Sequence, residues 1–162
     1  MFEKFGEFDS YEEINRAAKA QLEEGDLEAI RTIAEENGLD PEDAEDYCTG
    51  AIEELTTPCL AAIGKLELEA KDLKLEGALK DWTDSIKQSC MENEEMALAV
   101  RKKGKSLKDC MAMILKKAFG EKTQLDDRIT KAADLRPPLY ISIPGKAQIK
   151  EIVREYYLGE KK

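Results

Sequence analysis

The twenty residues LEEGDLEAIRTIAEENGLDP, Leu22 to Pro41, decide how this chain is to be read. Gly25 ends a helical run, because glycine takes the left-handed backbone conformation that closes a helix without steric cost. Asp26 follows, and its side chain can accept the unpaired N–H groups of a new first turn. Leu27, Ile30 and Ile33 then recur at helical spacing until Asn37-Gly38 stops the run. Asp40-Pro41 restarts it: the acid accepts backbone N–H bonds, and proline sits where its missing donor costs nothing. This grammar of cap, apolar stripe and stop predicts short helices joined by tight turns.

The same grammar extends in both directions. Upstream, Ser10 with Glu13 fits a capping box that opens a helix to about Glu24, with Ile14, Ala17, Ala18 and Leu22 on one face. Downstream, Thr57-Pro58 starts a longer helix carrying Leu60, Ile63, Leu66 and Leu68. The stripe continues from Leu75 to about Met91 as Leu75, Leu79, Trp82, Ile86 and Cys90. Asn93 caps a helix with Met96, Leu98 and Val100, which ends at Arg101-Lys102-Lys103-Gly104, the cations and glycine that a helix C-terminus favours. Ser106 caps the most apolar helix, Leu107 to Gly120, which is the predicted core centre; a short helix follows over about Leu125 to Ala133.

Arg136-Pro137-Pro138 then breaks the pattern. Leu139 to Ile143 alternates with β-type residues and is the one strand-like run, predicted to be an extended connector packed on the core. A last helix, about Lys146 to Leu158, presents Ile149, Ile152, Val153 and Tyr156, and Lys161 and Lys162 are expected to fray. The fold class predicted is mostly α: a compact multi-helix domain of about seven to nine short helices with one extended segment near 139–143. At 162 residues and 18.2 kDa, such a chain buries about 70% of its unfolded surface, enough for a core without staples. One helical domain over 1–162 is the simplest division; a split into an acidic part, 1–57, and a helical part, 58–162, stays open.

The charge changes sign near that division. Net charge is −10, but residues 1–60 hold 18 acids and 4 bases, a net of −14, while 61–162 hold 17 acids and 21 bases, a net of +4. Surface potentials act within a Debye length of about 8–10 Å, so the asymmetry matters more than the total.

Several function classes are excluded. There is no histidine, which removes imidazole acid–base catalysis, imidazole triads and histidine metal ligands. Cys48, Cys59, Cys90 and Cys110 contain no CxxC pair and read as buried free thiols. Gly104-Lys105-Ser106 resembles the tail of a phosphate-binding loop, but position 99 is alanine where glycine is required, and a helix precedes it where a strand should. Asp40 to Asp46 lacks the glycine of a calcium loop, since Glu45 stands at the sixth position. No metal, cofactor or enzymatic activity is predicted. The charged start Met1-Phe2-Glu3-Lys4 and the absence of an 18-residue apolar run predict a cytoplasmic protein without a signal peptide or membrane span.

Two charged groups remain as candidate sites. The acidic one comprises Glu35, Glu36, Asp40, Glu42, Asp43, Glu45 and Asp46; the basic one comprises Arg101, Lys102, Lys103, Lys105 and Lys108.

Several stretches together resemble the PcfK-like family of conjugative and other mobile elements, which includes a group of type II anti-CRISPR proteins, inhibitors of Cas9. They are Gly6 to Ser10 with Glu12 to Ala18, Glu24 to Ala29, Asn37 to Ala44, Val100 to Lys108, Ile143 to Gly145 and Val153 to Gly159. The resemblance spans most of the chain, rests on caps and helix faces, and carries over no catalytic residue. It implies a bacterial or phage-borne accessory protein that works by binding in the host cytoplasm. The partner expected is Cas9 or its guide-RNA complex, whose nucleic-acid channel is strongly positive and suited to an acidic, DNA-mimicking surface. The alternative is a conjugative-element accessory or regulatory protein that contacts DNA or relaxosome proteins through the basic group.

Overall fold

The computed structural model describes residues 3–159; the expected fraying of Lys161 and Lys162 lies outside them. Among the described residues there are nine helices: α1 (Tyr11–Glu24), α2 (Leu27–Glu36), α3 (Pro41–Thr49), α4 (Pro58–Asp72), α5 (Ala78–Glu92), α6 (Glu94–Arg101), α7 (Leu107–Gly120), α8 (Asp127–Ala132) and α9 (Lys146–Leu158). Two short strands, β1 (Thr123–Gln124) and β2 (Tyr140–Ile141), form an antiparallel pair with Thr123 opposite Ile141. The fold is mostly α, and none of these helices is long and apolar enough to cross a membrane.

The caps are made by the residues that announce them. Ser10, Asp26, Asp40, Thr57, Asn93 and Ser106 each accept a backbone N–H of the first turn of the helix that follows. The reciprocal arm of the box at α1 lands one residue early, where the Glu13 carboxylate accepts the Asp9 N–H at 2.7 Å. Gly25 and Gly50 close α1 and α3 in the left-handed conformation, with φ of 75° and 79°.

Packing produces two apolar clusters joined by α4. One gathers Ile14 and Ala18 of α1, Ile30, Ile33 and Ala34 of α2, Ala44 and Tyr47 of α3, and Ala61 of α4. The other gathers Ala62 and Leu66 of α4 with buried side chains of α5, α6, α7 and α9. Adjacent residues of α4 therefore serve different clusters, and helix contacts across this seam hold the acidic and the later helices together.

Two expectations are corrected. The stripe from Leu75 to Met91 does not begin as helix: past the end of α4, Lys74 turns the chain at φ 51°, the Leu75 N–H returns to the Ala70 carbonyl, and α5 starts only after Gly77. A lysine takes the left-handed closing position that glycine usually fills, so residue type gave no stop signal. The predicted core helix α7 does join the second cluster, which it shares with α6: each buries five residues, and α7 leaves Leu115 at 43% and Phe119 at 71% exposure on its other side. The run Leu139 to Ile143 is not an unpartnered connector on the core, because Tyr140–Ile141 pairs with Thr123–Gln124 and is exposed. Its partner is two polar residues, too short and too polar to show alternation.

Candidate binding face and the ionic seam behind it

The acidic group is distributed over the end of α2 and the first two turns of α3. Pro41 fixes the entry to α3, and four acids follow at helical spacing because the N-terminal end of a helix stabilises negative charge. Glu35, Asp40, Glu42, Glu45 and Asp46 are exposed, and Glu36 and Asp43 are half-buried. Glu42 and Asp46 lie one turn apart on one face of α3.

Three of the seven are engaged inside the molecule. Glu36 accepts the Lys4 and Phe5 N–H groups at 2.6 and 3.0 Å and pins the N-terminal strap. Glu45 takes the Arg31 guanidinium at 2.5 and 3.2 Å, which holds its carboxyl below the usual range. Asp40 caps α3 through the Glu42 N–H at 2.9 Å. Glu35, Glu42, Asp43 and Asp46 make no ion pair among the described residues. Beside them a cleft of about 350 Å³ opens between α3 and α4, with Asp40, Asp43 and Glu67 on its rim and Leu60 and Ile63 on its wall. A long cationic side chain suits such a surface, its stem on the apolar wall and its head among the carboxylates.

The basic group is not one surface. Arg101 is 1% exposed, and its guanidinium donates to the Asn37 side-chain oxygen at 2.5 Å. Membership of an exposed basic cluster is therefore corrected: position 101 lies on the buried side of α6 and faces the seam. Lys105 is half-buried, donates to the Tyr156 carbonyl at 2.7 Å and lies 4.9 Å over the Tyr156 ring. Lys102, Lys103 and Lys108 are exposed.

Sequence reasoning missed the seam itself. Lys65 of α4 is 1% exposed, donates to the carbonyls of Lys102 and Lys105 at 2.9 and 2.7 Å, and lies 3.4 Å from the Glu7 carboxylate. One turn on, the Glu69 carboxylate accepts the Leu107 N–H at 3.2 Å. Burial pushes the Lys65 ammonium and the Arg101 guanidinium down and the Glu69 carboxyl up, while each sign opposes the shift of the other. Desolvation dominates at each, as expected for charges buried to satisfy backbone carbonyls and one another.

The loop between α6 and α7 is consequently tied on several sides, since Asp9 accepts the Lys103 N–H and Tyr156 Oη accepts the Ser106 N–H, both at 2.8 Å. A cleft of about 410 Å³ beside it mixes signs, with Glu7, Glu69, Asp72 and Asp109 against Lys105 and Lys108. Oxyanions are disfavoured there, because a carboxylate already occupies the first N–H of α7.

Among the described residues no group of three or more Cys, Asp or Glu side chains is placed to hold a metal. Comparison with family models, with curated proteins and with solved structures gives no match.

Proposed function

We propose that the chain acts by binding rather than by catalysis, presenting the α2–α3 face to a cationic macromolecule, and that this macromolecule is a type II CRISPR effector, Cas9 or its guide-RNA complex. The observation that supports it is a set of acids, Glu35, Glu42, Asp43 and Asp46, with no ion pair among the described residues, next to an acid-rimmed, apolar-walled cleft that Asp43 helps to line. The resemblance to the PcfK-like family supplies the choice of effector. An effector channel that holds guide and target is lined with lysine and arginine, whose aliphatic stems and charged heads match that cleft. Occupying it would block DNA targeting or cleavage by charge mimicry.

The competing reading, contact with DNA or relaxosome proteins through the basic group, is left with three exposed lysines, Lys102, Lys103 and Lys108. Titration of the protein into cleavage reactions of several Cas9 orthologues tests the proposal. Inhibition that saturates near one inhibitor per effector is the expected result, and undiminished cleavage by every orthologue at large molar excess rejects it. A gel shift with duplex DNA that weakens steeply between about 50 and 200 mM salt would instead favour the basic loop.

A further inference from the structure

An asparagine carries an electrophile beside the nucleophile of the next residue. Its side-chain amide carbon can close a five-membered ring with the following backbone nitrogen, and a glycine there offers no Cβ to hinder the approach. The chain holds three asparagines, and only Asn37 is followed by glycine; Asn15 precedes Arg16 and Asn93 precedes Glu94. In an open chain the Asn37 amide is therefore the most labile of the three.

The fold opposes that ring at each of its parts. Asn37 is 0% exposed, which keeps the base and the water that the reaction needs away from the amide. Its Nδ2 donates to the Ile33 carbonyl at 2.7 Å and its Oδ1 accepts from the Arg101 guanidinium at 2.5 Å, so the amide plane is held at both ends. The attacking nitrogen is engaged as well, since the Gly38 N–H donates to the Glu35 carbonyl at 3.1 Å. With φ −105° and ψ 6°, Asn37 holds that nitrogen out of the plane through its own Cβ and Cγ that ring closure requires. The turn also has no spare room: Gly38 lies so close to Gly64 of α4 that a Cβ on either would stand under 3.0 Å from the backbone of the other.

We propose that Asn37-Gly38 is a masked deamidation site: the native turn preserves the amide, and unfolding releases it to a reaction whose isoaspartyl product cannot rebuild the seam. With the turn open, a base takes the Gly38 amide proton, the nitrogen attacks Asn37 Cγ, and ammonia leaves with the side-chain nitrogen as the succinimide closes. Water then opens the ring with no change of oxidation state. Cleavage of the Cγ–N bond gives aspartate. Cleavage of the bond to the Asn37 main-chain carbonyl gives isoaspartate, whose backbone runs through Cβ and Cγ and is one carbon longer. That extra carbon falls where Gly38 meets Gly64, and close-packed backbone cannot yield to it. Aspartate keeps the backbone length but sets an oxygen against the Ile33 carbonyl in place of a donor. An episode of unfolding is thus recorded in the chain and made irreversible.

Peptide mapping by mass spectrometry, on the full chain held at mildly alkaline pH with and without guanidinium chloride, tests the proposal. Conversion at Asn37 should be at least tenfold faster in denaturant, because the native rate is scaled by the fraction of time the turn stands open. Asn15 and Asn93 are internal references in the same samples, and in denaturant each should convert at least tenfold more slowly than Asn37. After removal of denaturant, isoaspartyl chains separated by chromatography should fail to regain the Tm of the parent. Unconverted chains from a brief exposure should regain it in full. Equal conversion of Asn37 in the folded and unfolded chain overturns the proposal. So does an unfolded chain that spares Asn37 or converts it no faster than Asn15 and Asn93, or isoaspartyl chains that melt at the parent Tm.

Discussion

At the scale of single residues, the charges that matter most for stability are the ones that do not reach solvent. Removing one partner from a buried, hydrogen-bonded ionic group costs about 3–5 kcal/mol, because the rest stay buried without compensation. Lys65→Met and Arg101→Met should therefore each lower unfolding stability by about that amount in a urea titration, whereas Lys103→Met, on the surface, should stay within about 0.5 kcal/mol. Tyr157 points the other way: its hydroxyl is buried and makes no hydrogen bond to any described residue. Tyr157→Phe should raise stability by about 1 kcal/mol. The Cys90 and Cys110 thiols are buried and pushed up to about 12. At pH 8 a thiol reagent should modify only the half-buried Cys48 and Cys59 in the native protein and all four cysteines in denaturant. Burial also raises the Glu69 carboxyl. The folded chain therefore keeps a proton that the unfolded chain releases, so this contribution to stability is full below the unfolded value of about 4.3 and is lost as pH rises through the folded value. The Tm of Glu69→Gln should accordingly fall less than that of the parent as pH is raised from about 4. Burial of Cys90 and Cys110 agrees with the sequence reading, whereas the half-exposure of Cys48 and Cys59 and the buried charges were not legible locally. Arg101 stands in an Arg-Lys-Lys-Gly run that reads as a solvated helix end, and its partner Asn37 is 64 positions away.

At the scale of elements, the caps were legible because each is a contact between residues two or three apart, and Ser10, Asp26, Asp40, Thr57, Asn93 and Ser106 all make them. Contacts between elements were not. Gly64 on α4 meets Gly38 in the turn after α2 so closely that a Cβ on either would stand under 3.0 Å from backbone atoms of the other segment. In sequence, Gly64 is only a glycine inside a helix, where it costs about 1 kcal/mol relative to alanine. Its return is the approach of α2 to α4 beside the seam. Gly64→Ala, which by propensity alone should stabilise α4, should instead destabilise the protein by about 2 kcal/mol or more, because backbone cannot yield as a side chain can. Thermal unfolding with far-UV detection checks the sign, and a rise in Tm would contradict the close approach. The pairing of β1 with β2 escaped notice for a related reason: two polar residues have no period, and only the long connection through α8 brings them to Tyr140 and Ile141.

At the scale of the whole molecule, the segregation of charge is the feature that sequence and structure share. Most of the acids behind the −14 of residues 1–60 stay exposed in the fold, and only four bases share that half of the chain. The apparent counter-feature, a basic cluster at 101–108, does not survive, since folding buries one of its members and ties another to Tyr156. Charge counts over tens of residues are thus readable from sequence where the residues sit on exposed helix starts, and misleading where a helix end such as Arg101 turns into the seam. The α2–α3 acids are the proposed contact with a cationic effector. The most direct measurement of that contact is the affinity of Cas9 for the quadruple variant Glu35→Lys, Glu42→Lys, Asp43→Lys, Asp46→Lys beside Lys102→Glu, Lys103→Glu, Lys108→Glu, by calorimetry at about 0.15 M salt. At least a hundredfold loss is expected for the first and less than a threefold change for the second. Equal affinity of the acid-reversed variant and the parent, or a loss confined to the lysine-reversed variant, would contradict it.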